Sequence, residues 1–168
     1  MRLEFLLIAL AITSGCTYYL GEQQSRFDLR FNPPNGWKVA ENTPDFVRFV
    51  PEEWETSLGP TPELKVELVK SDEALDTFMR RDKEMNIAKL KDYRIERYMD
   101  IIVVESEGVT EYSYADPAVD EEGARIKVHK HYFYGVDGIV VVTISASLKF
   151  WNQNEVMLNE CIKSFKFQ

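Results

Sequence analysis

From Arg26 onward apolar and polar positions alternate, with Phe27, Leu29 and Phe31 on one side and Arg26, Asp28 and Arg30 on the other. Side chains of an extended chain point to opposite faces in turn, so this is a strand pattern, ended by the turn signal Asn32-Pro33-Pro34-Asn35-Gly36. Trp37-Lys38-Val39 and Phe46-Val47-Arg48-Phe49-Val50 predict two further short strands. Pro51, Gly59, Pro60 and Pro62 then punctuate a loop carrying Trp54, and Leu64 to Lys70 alternates once more. At Ser71 the period changes. Ser71 reads as an N-cap, Asp72 and Glu73 suit the positive end of a helix dipole, and Leu75, Phe78, Met79 and Met85 form an apolar stripe that predicts a helix to about Lys89. The mixed charges of Arg80, Arg81, Asp82, Lys83 and Glu84 are its solvated face.

The second half is richer in strand. Tyr93 to Glu105 and Val109 to Ala115 are two β-runs separated by Ser106-Glu107-Gly108, and a loop opens at Asp116-Pro117. Ala124 to Tyr134 and Ile139 to Leu148 are longer runs joined by Gly135-Val136-Asp137-Gly138, a hairpin signal. Ile139 to Ile144 is apolar at nearly every position, which suits a strand covered on both faces and places helices on both sides of the sheet. A final helix is predicted from about Asn152 to Lys163, burying Leu158 and Ile162, with Phe165 to Phe167 as a short extended tail. Phe27, Phe31, Trp37, Phe49, Phe78, Val141, Ile162 and Phe165 are expected to share one core. Turns this short exclude parallel crossovers, so the sheet should be largely antiparallel.

Composition fits a folded domain, with 45% apolar and 12% aromatic residues. The formal charge of −8 repels phosphate backbones and anionic headgroups, which disfavours nucleic acid as a partner. The first residues change the picture further. Arg2, an apolar run from Phe5 to Ile12 and then Thr13-Ser14-Gly15-Cys16 form a core far shorter than the roughly 20 residues that span a bilayer. The stretch resembles a bacterial lipoprotein export signal, with Thr13 in place of the usual aliphatic residue and Glu4 partly cancelling the positive n-region; an ordinary secretory signal or an uncleaved membrane-anchoring helix is the alternative reading. The resemblance implies cleavage after residue 15, a diacylglycerol thioether on Cys16, and a body outside the cytoplasm, lipid-anchored to a membrane of the cell envelope. Removal of residues 1–15 leaves 153, one domain's worth, preceded by a polar lipidated tether at 16–25. With Cys16 acylated, Cys161 has no partner for a disulfide within the monomer and reads as a small buried hydrophobe.

Motifs for hydrolysis, redox chemistry, phosphate cradling and dinucleotide binding are absent from the sequence, so no catalytic residues and no cofactor are expected. His129 and His131 stand two apart on a strand and face the same side. They hold a transition metal if a neighbouring strand supplies a carboxylate, and are otherwise a polar row on the sheet. Asp116, Asp120, Glu121 and Glu122 share a Pro- and Gly-flanked loop whose oxygens suit weak calcium binding, although the spacing matches no EF-hand and a solvated acidic loop is the plainer reading.

The order of elements, together with Phe31-Asn32-Pro33-Pro34-Asn35-Gly36-Trp37 and the terminal Ile162-Lys163-Ser164-Phe165, resembles the PsbP-like fold over about residues 26–167. That superfamily includes the extrinsic PsbP subunits of photosystem II, the bacterial lipoprotein DcrB and a Ran-binding transport factor. The resemblance implies an α+β domain at 26–168, an α/β/α sandwich around a largely antiparallel sheet, and no single activity. Two functions are expected on this basis: a membrane-tethered, non-enzymatic binding or assembly subunit with an envelope protein as partner, or a small-ligand or metal-binding envelope receptor. A deep pocket, or a carboxylate facing the two histidines, favours the receptor; a filled core with an exposed apolar patch favours the binding subunit.

Overall fold

The structure is a computed structural model that describes residues 19–54, 59–99, 107–118 and 124–168. Its frame is a seven-stranded sheet containing β3 (Trp37–Asn42), β4 (Phe46–Pro51), β5 (Glu63–Val69), β6 (Arg94–Met99), β7 (Glu107–Ala115), β8 (Arg125–Gly135) and β9 (Gly138–Ser147). The spatial order is β3-β4-β5-β9-β8-β7-β6, and every pair is antiparallel. One face carries helix α1 (Leu75–Lys89). The other carries α2 (Leu148–Gln153), α3 (Glu155–Lys163) and a three-stranded sheet of β1 (Gln24–Arg26), β2 (Leu29–Phe31) and β10 (Lys166–Phe167). Helices on both faces of an antiparallel sheet match the expectation from the pattern and make the α+β sandwich that the resemblance implies.

Strand β9 is central, and its apolar run has the predicted explanation: Ile139, Val140, Val142 and Ile144 are each at most 1% exposed, and Val141 is 6%. The β8–β9 hairpin closes at the Gly135 and Gly138 pair. Gly138 has φ 137°, and a Cβ there would lie 2.4 Å from the Val69 carbonyl oxygen, so no other residue fits.

Four expectations change. Phe27 is not a strand residue: Phe27 and Asp28 sit at φ 52° and 61° in the two-residue turn between β1 and β2, where consecutive left-handed residues match the twist of the flanking strands. Ser71 does not cap α1. Its Oγ accepts from Glu73 N at 3.3 Å in a local turn, and the helix starts after Ala74 with no side-chain cap. Met85, placed on the apolar stripe, is 42% exposed, and the buried residues of α1 are Leu75, Phe78 and Met79 in its first half. The terminal helix is two helices, since Ser147 caps α2 by accepting from Phe150 N, while Asn154 (φ −121°, ψ 20°) turns its amide back onto the Phe150 carbonyl at 3.0 Å and breaks the run.

The core is accordingly not one body. Phe31, Phe49 and Phe165 are buried between the sheet and α2/α3, with Phe27, Trp37 and Ile162 half-buried against them. Phe78 and Val141 belong to the opposite face, with Leu75, Met79, Tyr132 and Ile139 beneath α1. A third cluster of Tyr112, Ile126 and Val128 lies farther along that face, with Leu90 and Tyr93 packed on it. The connector also behaves differently from expectation. Residues from Tyr19 are already docked, as Gly21 N donates to Pro33 O at 2.8 Å and Asn35 N to Tyr19 O at 2.9 Å. Pro33 and Pro34 have no N–H but leave carbonyls to accept, so the turn acts as a cleat for the entering chain.

Candidate functional site

His129 and His131 lie on β8 facing α2 and α3, and β7 contributes Glu107 and Glu111 to the same side. In the β7–β8 register Glu111 stands directly opposite His129, and their Nδ1 and Oε1 atoms are 3.0 Å apart. Glu107 reaches His131 diagonally, with Nε2 and Oε2 3.2 Å apart. His131 also stacks on Phe133, centroids 4.2 Å apart, with Phe165 edge-on at 6.0 Å. Each imidazole therefore has its own carboxylate, and each keeps a second buried nitrogen, His129 Nε2 and His131 Nδ1, without a partner.

Chemically, a neutral ring that donates one N–H to a carboxylate presents its other nitrogen as a bare lone pair. Protonating it would create a buried N–H with no acceptor. Burial, then the neighbouring His129, pushes His131 from 6.5 down to about 4. The hydrogen bond from His129 holds the Glu111 carboxyl below its usual range. Carboxylates do face both histidines, the arrangement that favours the receptor reading, but as separate imidazole–carboxylate pairs: among the described residues no group of three or more His, Cys, Asp or Glu side chains is placed to hold an ion. Cys161 is fully buried and burial pushes its thiol up, away from the reactive thiolate.

Of the acidic loop, Asp116 is buried and accepts from Ala118 N at 2.9 Å, a turn-forming bond of the usual Asp kind. Asp120, Glu121 and Glu122 lie outside the described residues, as does Cys16.

A feature the sequence pattern did not single out lies at the other end of the sheet. An open groove of about 590 Å³ is bounded by Trp37 at the start of β3, by Glu52, Glu53 and Trp54 after β4, and by Phe150 and Met157 from α2 and α3. Trp54 is fixed twice, donating its indole N–H to Gly59 O at 3.2 Å and packing edge-on to Phe150 at 5.3 Å. The loop is pinned by Glu52 N donating to Gly36 O at 2.8 Å. Met157 of α3, just past the break at Asn154, completes the wall. The available signal was the aromatic and paired acids of Glu52-Glu53-Trp54 inside a proline-rich loop.

No protein-family model matches the chain, and no curated protein matches it by sequence. Solved structures do. The Ran-binding protein Mog1p of Saccharomyces cerevisiae matches with TM-score 0.57 at 13% identity, covering 87% of this chain and 94% of that one. A Pseudomonas aeruginosa protein of unknown function, described as a putative regulator, gives 0.59 at 10%, covering 89% and 98%. Cyanobacterial PsbP from Synechocystis sp. gives 0.56 at 16%, covering 90% and 94%. The domain thus has a PsbP-like fold. Likeness at this identity defines the architecture, while function has to come from the sites.

Proposed function

We propose that the chain is an exported bacterial lipoprotein, acylated on Cys16 after removal of residues 1–15, whose PsbP-like domain is a non-enzymatic binding or assembly subunit of an envelope complex. The observation that carries the binding role is the open, tryptophan-lined groove, beside sheet faces whose interiors are filled with side chains. An open recess of mixed aromatic and acidic lining on a packed domain suits contact with another macromolecule better than enclosure of a small ligand. A neighbour of the same fold described as Ran-binding supports the idea that such a domain can serve protein recognition.

The docked entry segment sharpens the tether. Only Thr17 and Tyr18 lie between Cys16 and Tyr19, a span of about 10 Å when extended. An acyl anchor on Cys16 would hold the domain almost against the bilayer, raising its effective concentration toward membrane partners to the millimolar range.

Two linked measurements test the reading. Intact mass and fatty-acid labelling should show a lipidated Cys16, lost with membrane retention in Cys16→Ser; unchanged labelling would remove the lipoprotein half. Cross-linking of the native protein in envelopes should recover a specific protein partner that the soluble, Cys16-deleted form captures poorly. No specific partner, combined with tight binding of a metal or small ligand by the isolated domain, would replace the subunit by the receptor.

A further inference from the structure

We propose that the groove receives a lysine or arginine side chain, flanked by apolar residues, from the partner protein; this rests on the binding role above and names the chemistry of its recognition. Two kinds of surface meet there. Trp37, Trp54, Phe150 and Met157 supply aromatic and thioether area, and Glu52 and Glu53 supply two exposed carboxylates. Among the described residues neither carboxylate is in an ion pair, unlike the carboxylates of Glu41, Glu63, Glu67 and Glu73. The nearby Lys38 ammonium is engaged with the Glu52 backbone carbonyl, at 3.4 Å.

A long basic side chain fits both surfaces at once. Its methylene stem packs on apolar walls while its head lies over an aromatic face and reaches the carboxylates. An anionic or neutral polar group meets like charge or loses its water without return. With its indole N–H committed to Gly59 O, Trp54 offers the groove ring surface and no donor for an anion. Because Trp54 and the Glu52 backbone are already held in place, little ordering cost remains at binding. The net charge of −8 steers a basic segment toward the domain from a distance.

The test uses the full chain and two short peptides, acetyl-Leu-Arg-Leu-amide and acetyl-Leu-Glu-Leu-amide, observed through the indole NMR signals of Trp37 and Trp54. The arginine peptide should shift both signals at millimolar concentration, and the glutamate peptide should not. Paired substitution Glu52→Gln with Glu53→Gln should weaken the arginine peptide about tenfold, and added salt should weaken binding to the wild type in the same direction. Equal shifts from both peptides, no shift from the arginine peptide, or no effect of the paired substitution would overturn the proposal. Envelope cross-linking with Glu52→Lys and Glu53→Lys separates the two levels. Undiminished partner capture by that variant would overturn the groove while leaving the subunit role, whereas a wild-type chain that captures no specific partner would remove the role itself.

Discussion

The two faces of the seven-stranded sheet are closed in different ways. Beneath α2 and α3 the interior is broad and aromatic, with Phe31 and Phe49 edge-to-face at 5.7 Å and Phe133 stacked between His131 and Phe167. Beneath α1 the apolar cluster is small, and a polar hub completes it. Asp82 accepts from Lys130 Nζ at 2.7 Å and from the Tyr132 hydroxyl at 2.7 Å, with burial pushing the Tyr132 phenol up. A single helix cannot cover a wide sheet, so on that face electrostatics and hydrogen bonds replace apolar area that a second helix would have buried. The first face gains stability from volume, the second from satisfied partners, and the two should fail differently.

The largest expected effect is on the aromatic face. Phe133→Ala removes a fully buried ring from the centre of its stack and should cost about 3–5 kcal/mol in chemical denaturation, with Phe78→Ala, at the 7%-exposed margin of the other cluster, costing less. Equal costs would mean that the faces do not differ in packing. Next is acid. His131 titrates near 6.5 when unfolded and about 4 when folded, so between these values the unfolded chain binds more protons. Stability tied to His131 is therefore complete above about pH 6.5 and lost as pH falls toward 4, by about 3 kcal/mol in all. Its side chain is 14% exposed, and Glu107, His129, Phe133 and Phe165 are the groups facing it. Thermal melts across that range should show the slope, and His131→Gln should flatten it; an unchanged slope would place the acid sensitivity elsewhere. The smallest effect is on the polar hub. Asp82→Ala strands the Lys130 ammonium and Tyr132 hydroxyl and should cost about 1–3 kcal/mol. Adding Lys130→Met to Asp82→Ala should recover part of that loss, since removing both partners is milder than removing one. A double variant no better than the single would show that the stranded Lys130 ammonium is not the source of the loss.

Much of this architecture was legible because it depends on period and punctuation. The continuous apolar run of β9 forecast its double coverage, and the glycines at 135 and 138 marked the hairpin. What escaped depends on choices between local rules. Phe27 alternates correctly with Leu29 and Phe31, but periodicity cannot reveal that a two-residue turn falls in the middle of the run. Asn154 breaks a helix through its own side-chain bond to Phe150 O, which outweighs an otherwise helical pattern. At the histidines, spacing placed both rings on one face, whereas the partners Glu107 and Glu111 depend on strand register, which the sequence of β8 alone does not contain. The groove was harder still, since its walls come from positions 37, 52–54, 150 and 157 and meet only after the fold is complete.

Strand β10 pairs with β2, Gln168 N donates to Asp28 O at 3.0 Å, and Asn32 N donates to Ser164 Oγ across 132 positions. A chain emerges from the ribosome N-terminal side first, so β2 must wait, its outer edge unclaimed, until residues 164–168 follow. Closing so large a loop is a slow, late step, because its entropy is spent before any contact repays it. Residues 164–168 thus serve as a latch, the segment whose arrival completes the small sheet around β2.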